Sequence, residues 1–401
     1  MRNSSTSEAV AACIHSDGCG GCQYQGMPYE EQLKTKQKLV EDLLTQAGMS
    51  PKLGGAICPS PVRYCYRNKM EYTFGNTYKD GPLTLGLHKQ KSFMSIVYTG
   101  ECQIVPAEFN DLLRETLAFC QGQDYTFYNK KSHKGLLRSL ILRKGVRTGE
   151  LLVNIVTTTQ SKFDSAAFRD RLLTLSFAEH IVGILHTIND GVSDAVNCDE
   201  MDILHGRDYY NEELMGLRFK VGAFSFFQTN VEAVERMFNE ALALIPSLEG
   251  KLVWDLYSGT GTLAQTVTPK AKEAIGVELS EESVAMARLN ALQNRLSNCS
   301  FIAGDVLKVL DDMTALPDVI IVDPPRSGIH PKAMKKIVSY SVPYILYISC
   351  NPKTLIQNLP EAMEAGYSIE SFRIYDNFPF TRHTECVCIL ERGESTERQE
   401  M

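Results

Sequence analysis

Several features are missing from this 401-residue sequence. No apolar run approaches the length of a membrane span. The opening stretch, Met1 to Val10, is polar and lacks the apolar segment of a secretory signal. A cytoplasmic protein without a membrane partner is expected. Positive charge is not in excess either: the net charge is −7. Whole-chain electrostatics therefore gives no sign of a nucleic-acid partner, although only a binding face need be positive for phosphate contacts. No Gly-Lys-Ser/Thr follows the glycine-rich turn at Gly259–Gly261, which disfavours phosphate cradling of the P-loop type. There is no internal repeat and no low-complexity linker.

What is present is ordinary globular material, 44% hydrophobic and 22% charged, in a chain too long for one compact domain. Residues 1–27 are rich in Gly and Cys without periodicity and read as a loop organised by something other than a core. Residues 28–48 read as a helix, with Pro28 opening it, Leu33, Leu39, Val40, Leu43 and Leu44 at helical spacing, and Gly48 closing it. Short segments at 70–75, 83–88, 93–98, 137–143, 150–157, 181–188 and 217–222 read as strands, interrupted by helical patterns at 107–120 and 164–176. They predict an α+β domain built on an antiparallel sheet.

After residue 228 the rhythm becomes strand–helix alternation. Strands are expected at 252–256, 274–278, 299–303, 318–322 and 344–349, and helices at 230–244, 262–268, 281–295, 331–340 and 353–364. This pattern implies a parallel, doubly wound α/β sheet. Strands at 368–375 and 384–391 follow with no clear helix between them, so the last should be an antiparallel insertion. The expected division is an α+β domain over 1–225, a Rossmann-like domain over 226–393 and a disordered tail over 394–401. Helix 28–48 is expected to pack on the second domain.

The chemistry gathers at the strand ends of that second domain. Asp255-Leu-Tyr-Ser-Gly259-Thr-Gly261-Thr262 closes its first strand, and glycines at such a turn allow close approach of a ligand. Glu278 ends the next strand, where a carboxylate can accept both hydroxyls of a ribose. Asp305 follows the third and Asp323 the fourth. Any one of these acids could be a solvated strand end or a helix cap. Four in succession at the carboxyl edge, where open α/β sheets bind ligands, point to a site. Cys350 ends an apolar strand in Ser-Cys350-Asn-Pro352, just before a helix whose N-terminus would help stabilise a thiolate.

Twelve cysteines is a high count where disulfides are uncommon. Cys13, Cys19 and Cys22 crowd the start, and with Cys102 they supply four thiolates, the set used by structural zinc and by iron–sulfur clusters alike. Cys58 and Cys65 are rival fourth ligands. The spacing differs from the tight triad of radical enzymes.

Asp-Pro-Pro-Arg (323–326), Ser-Cys-Asn-Pro (349–352) and His383-Thr-Glu385 resemble the RNA 5-methyluridine methyltransferase family. So do Phe226-Phe-Gln228-Thr-Asn230, Tyr66-Arg-Asn-Lys69, and Cys13-x5-Cys19-Gly-Gly-Cys22 with Gly100-Glu-Cys102-Gln-Ile. The resemblance runs from about 13 to 391 and is similar to the ribosomal-RNA branch, whose cysteine set it carries. It implies S-adenosylmethionine as methyl donor and a [4Fe-4S] cluster on Cys13, Cys19, Cys22 and Cys102. It implies carbon 5 of a uridine in RNA, 23S ribosomal RNA foremost, as the methyl acceptor. Cys350 matches the family's nucleophile and Glu385 its general base; Gln228, Tyr257, Glu278 and Asp323 match cofactor contacts, with Thr262 and Asp305 matching more loosely. A monomer is expected. The family often carries an N-terminal RNA-binding barrel, and too few residues precede Cys13 to hold one.

Two other functions are weighed with this one: transfer RNA as the substrate, and a non-catalytic iron–sulfur RNA-binding protein on a methyltransferase fold. An amino-methyltransferase would need an aromatic residue where Arg326 stands. Arg67, Lys69, Arg138, Arg143, Lys144, Arg382 and His383 are candidates for RNA contacts.

Overall fold

The structure, a computed structural model, describes residues 12–50, 54–193 and 197–393; the tail expected to be disordered lies outside them. In chain order the elements begin with α1 (Tyr29–Gln46), β1 (Lys69–Gly75), β2 (Thr84–His88), β3 (Ile96–Tyr98), α2 (Ala107–Gly122), β4 (Leu137–Lys144) and β5 (Leu151–Thr157). Next come α3 (Ser165–Leu172), β6 (Ile181–Ile188), β7 (Glu200–Gly206), β8 (Tyr209–Leu214) and β9 (Leu217–Gly222). The alternating part holds α4 (Val231–Leu242), β10 (Leu252–Leu256), α5 (Thr262–Val267), β11 (Glu273–Glu278), α6 (Glu281–Gln293), β12 (Cys299–Ala303) and α7 (Val306–Asp312). It ends with β13 (Val319–Val322), α8 (Pro331–Ser339), β14 (Tyr344–Ser349), α9 (Pro352–Glu364), β15 (Tyr367–Tyr375) and β16 (Glu385–Arg392). Among the described residues no helix is long and apolar enough to cross a membrane.

The chain divides into two compact units, and the division is not a single cut. The first holds 1–28, 62–213 and 219–231; the second holds 29–61, 214–218 and 232–401. The segment carrying Gln228 thus belongs with the first unit, and α1 with the second.

The first unit is built on a seven-stranded sheet ordered β3-β2-β1-β4-β5-β6-β7. It is not purely antiparallel as the sequence suggests: β5 and β6 run parallel, with α3 as their crossover. A parallel pair needs such a connection, which a two-residue turn cannot supply. The edge strand β7 is largely exposed and reads Glu-Met-Asp-Ile-Leu-His-Gly, without the apolar alternation that would announce it.

In the second unit the sheet order is β12-β11-β10-β13-β14-β16-β15. Strands β10 to β14 are parallel neighbours, and β16 lies antiparallel between β14 and β15. Each central strand is buried on both faces, so β13 reads Val-Ile-Ile-Val with no polar position. Cys386 and Cys388, fully buried, alternate on β16 and pack in the same core as Val40, Leu44, Trp254 and Tyr347. Their thiols fill volume in a core already closed on all sides. The stripe Tyr29, Gln32, Leu33, Lys36, Val40 and Leu44 is the buried face of α1.

Candidate active site

Strand order reverses between β10 and β13, and loops leaving their carboxyl ends open the crevice where such sheets hold ligands. At the end of β10 the backbone makes a left-handed bend through Tyr257 (φ 68°) and Gly259 (φ 55°) before α5 starts. The two glycines have different reasons to be there. A Cβ on Gly261 would stand 2.4 Å from the Phe301 ring, so that position needs glycine for packing. A Cβ on Gly259 would meet nothing within 4 Å, so that position faces open space. Glu278 braces the turn: its carboxylate accepts from Gly259 N–H at 3.0 Å and Ser280 N–H at 2.9 Å. Each oxygen keeps a lone pair for a further donor.

Asp255 differs from the other strand-end acids. It is fully buried, and its Oδ2 accepts from Ala264 N–H at 2.8 Å, pinning the start of α5. Burial, with Asp323 and Glu278 nearby, pushes its carboxyl up to about 8. Asp305 caps α7, accepting from Lys308 N–H at 3.3 Å. Thr262 is the first residue of α5. Asp323 follows β13, and its carboxylate takes no hydrogen bond among the described residues; desolvation pushes it up to about 7.

Register brings Cys350 and Glu385 together. Ser349 on β14 pairs with Cys386 on antiparallel β16, so the next residue in each direction sets Cys350 opposite Glu385. Glu385 is 7% exposed, its carboxyl accepts no hydrogen bond among the described residues, and burial raises that carboxyl well above the usual range. A buried carboxyl with no hydrogen-bond partner is costly, and such groups gather at functional sites. The expected thiolate-stabilising effect of the α9 N-terminus does not prevail. Burial first, then the negative charges of Glu385 and Asp323, push the Cys350 thiol up to about 11. One helix end supplies about half a unit charge, and two carboxylates with desolvation outweigh it.

Arg326, the last residue of the Asp-Pro-Pro-Arg motif, is the opposing charge. Its guanidinium acts on both groups, lowering the Cys350 thiol and the Glu385 carboxyl. It reaches His383 Nδ1 at 2.8 Å. Asn351 holds the Arg326 carbonyl at 2.8 Å, and Asn358 holds both backbone groups of Ile329, so the 323–330 loop is tied to α9. A cation directly after Pro324-Pro325 at a strand end was the available signal.

Gln228 belongs to the first unit, where its carbonyl accepts from Asn68 Nδ2 at 3.1 Å. Arg143, 1% exposed, donates to Ser225 O at 2.6 Å, and Arg138 donates to the carbonyls of Asn189, Gly191 and Ser193. These two arginines therefore hold loops instead of presenting charge to RNA, which corrects their place among the RNA-contact candidates. Lys144 is paired with Glu108 at 2.7 Å.

The four cysteines Cys13, Cys19, Cys22 and Cys102 line one cavity in the first unit. Neither Cys58 nor Cys65 joins them: Cys58 lies in the second unit beside Glu240, and Cys65 is exposed. Among the described residues no group of three or more His, Cys, Asp or Glu is arranged to hold a metal ion. Burial and mutual repulsion push the Cys22 thiol up to about 11 and the Cys102 thiol up to about 12. Thr99 Oγ1 and Gln103 Oε1 on the same cavity are buried and without a hydrogen-bond partner.

A family model for tRNA (uracil-5-)-methyltransferase matches residues 197–393. An uncharacterized RNA methyltransferase of Clostridium tetani is 44% identical over 385 residues, covering 96% of this chain and 84% of the relative. Another, from Bacteroides thetaiotaomicron, is 34% identical over 407 residues, covering 96% and 88%. Among solved structures, the tRNA (uracil-54, C5)-methyltransferase of Pyrococcus abyssi in complex with S-adenosyl-L-homocysteine superposes with a TM-score of 0.76. It is 26% identical, over 93% of this chain and 84% of that one.

Proposed function

The chain belongs to the RNA (uracil-5-)-methyltransferase family, and from that premise we propose that it methylates carbon 5 of a uridine in 23S ribosomal RNA through a covalent Cys350 adduct. The observation that carries the reading is that Cys350 and Glu385, each one residue beyond the last β14–β16 pair, are brought close enough for Glu385 and Asp323 to act on the Cys350 thiol. Uracil carbon 5 is too weak a nucleophile to take a methyl group unaided. Bond formation between the Cys350 sulfur and carbon 6 moves the ring electrons toward carbon 5, splitting one hard step into easier ones. S-adenosylmethionine, when bound, supplies an electrophilic methyl group on sulfur. Glu385 then removes the carbon-5 proton, and the carbon–sulfur electrons return to Cys350 as the ring double bond re-forms.

The cofactor side rests on Glu278, Tyr257, Asp323 and the open turn at Gly259, with Thr262 and Asp305 as further contacts. Glu278 retains free lone pairs at a strand end suited to ribose hydroxyls. Glu278→Ala should weaken S-adenosylmethionine binding by about 1.5–3 kcal/mol, the worth of a charge-assisted hydrogen bond. Unchanged affinity by calorimetry in the folded variant would remove Glu278 from the site.

The pH dependence follows from the raised groups. Cys350 must lose a proton to attack and Glu385 must be ionised to accept one, and burial opposes both ionisations. The useful form of each is gained as pH rises. Adduct formation should climb about tenfold per pH unit through neutrality into the alkaline range. Arg326→Gln, lacking the charge that lowers both groups, should move the rise to higher pH. A profile flat between about pH 6 and 9 would show that proton loss from Cys350 is not limiting.

We infer that Cys13, Cys19, Cys22 and Cys102, which line one cavity, would hold a [4Fe-4S] cluster. Four cysteines lining one cavity, Cys13 buried and the other three partly buried, form a thiolate donor set that a cationic centre would stabilise. In such a cluster each cysteine binds a different iron, so the sulfurs need not converge as around one ion. Thr99 Oγ1 is a donor left over for a sulfide. Anaerobically purified protein should be brown with about four irons per chain; stoichiometric zinc without visible absorbance would sink the assignment. Retained iron after Cys102→Ser would remove Cys102 from the ligand set.

Transfer RNA is the second reading, favoured by the family model and the Pyrococcus abyssi neighbour. Labelled methyl transfer tests the enzyme. Mapping 5-methyluridine in ribosomal and transfer RNA from cells with and without the gene separates the substrates: a methyl group lost only from transfer RNA overturns the ribosomal assignment.

A further inference from the structure

The buried face of α1 carries two residues that helix packing does not call for, Gln32 and Lys36, both 0% exposed. A lysine is almost never fully buried unless paired. Both reach the segment between β15 and β16, residues 376–384, whose next residue is Glu385. Lys36 Nζ donates to Asp376 Oδ1 at 2.6 Å and to Phe378 O at 3.0 Å. Tyr29, on the same face, donates its hydroxyl to Asp376 Oδ2 at 2.8 Å, so that carboxylate is held at both oxygens. Gln32 Oε1 accepts from Phe380 N–H at 2.9 Å.

That last contact falls where the backbone is most constrained. Phe380 has φ 65°, a left-handed conformation that an aromatic side chain adopts at a cost of roughly 1–2 kcal/mol. Such a residue persists only when its surroundings over-determine it. Here Gln32 holds its N–H from outside, and Thr381 closes the turn by donating its hydroxyl to Phe378 O at 2.8 Å and accepting from His383 N–H at 3.2 Å. The segment's start is fixed by Lys36 and Tyr29, its middle by Gln32, and its far end enters β16 at Glu385, the site residue opposite Cys350.

We propose that Tyr29, Gln32 and Lys36 of α1 position the general base, holding the 376–384 segment so that Glu385 meets the carbon-5 proton after methyl transfer. This rests on the reading of Glu385 as the base. A buried pair such as Lys36–Asp376 is weak evidence for stability, because apolar residues of similar volume often serve as well. What apolar residues cannot supply is a fixed point for Phe378 O and Phe380 N–H. A catalytic group misplaced by about 1 Å can lose about 100-fold in rate. Because Glu385 acts only after methyl transfer, the loss should fall on elimination and leave the earlier steps alone.

Two variants test this without leaving a buried charge. Gln32→Met keeps the side-chain length and removes the acceptor. Lys36→Met with Asp376→Leu replaces the ion pair by apolar groups. Each full-length protein is mixed with S-adenosylmethionine and RNA from cells lacking the gene, and the covalent protein–RNA species is followed in a single turnover. The expected result is methyl transfer near the wild-type rate, with decay of the adduct slowed about tenfold or more. Glu385→Gln serves as the reference for a fully stalled adduct. If Glu385→Gln stalls while both α1 variants release at the wild-type rate, the positioning role is wrong and the base assignment stands. If Glu385→Gln does not stall, the base lies elsewhere and the proposal falls with it. Variants that lower the melting temperature and slow adduct formation and decay alike would show a structural role only.

Discussion

Cys350→Ala is expected to abolish methyl transfer, with a loss of about 10⁴-fold or more, while leaving cofactor binding intact. The cofactor contacts proposed here lie on other strand ends, at Glu278 and the Gly259 turn, and none involves the Cys350 sulfur. The substitution removes a half-buried thiol, so the cost in stability should be small beside the cost in rate. Calorimetry with S-adenosylmethionine should give the wild-type affinity. RNA should still bind, yet no denaturant-resistant band should form, because nothing attacks carbon 6. A Cys350→Ala protein that still methylates uridine would end the covalent mechanism and revive chemistry in which the acceptor atom needs no activation.

Cys350 was legible because a strand of period-free apolar residues stops at it, which places it at the sheet's edge before any contact is known. The antiparallel place of the last strand was legible too, since no helix separates β15 from β16. The parallel β5–β6 pair was not: a helix was expected between the two strands, but whether it serves as a crossover depends on which strand comes back beside β5. Helix α7 was missed for a similar reason: seven residues hold too few turns for periodicity to show.

Within the site, the motifs named the acids but not their states. Sequence spacing placed Asp255 and Asp323 alike at strand ends. The structure makes the first a fully buried support for α5 and leaves the second without a hydrogen-bond partner among the described residues. The charge balance around Cys350 was misjudged because helix ends are visible in a sequence, whereas desolvation and carboxylates brought in from β13 and β16 are not. Lys36 and Asp376, 340 residues apart, could not be paired by any local rule. The surplus of polar residues on the buried stripe of α1 was the trace they left.

Glu385→Gln should fail at a different point from Cys350→Ala, and the difference is the sharpest test of the roles proposed. Glutamine keeps the size of the side chain, so β16 and its pairing with β14 should persist. It removes a negative charge that pushes the Cys350 thiol up, so attack on carbon 6 should be no slower than in the parent, and faster near neutral pH. Methyl transfer follows. The chain then holds a ring with both a methyl group and a hydrogen on carbon 5, and an amide cannot take that proton. Elimination should slow by about 10²–10⁴-fold, the usual worth of a positioned base. The variant should therefore accumulate protein covalently joined to methylated RNA, carrying label from S-adenosylmethionine and absent when Cys350→Ala is added. Turnover near the parent rate would assign proton removal to another group, and Asp323, a half-buried carboxyl at the adjoining strand end with its pKa pushed up to about 7, is the one placed to do it.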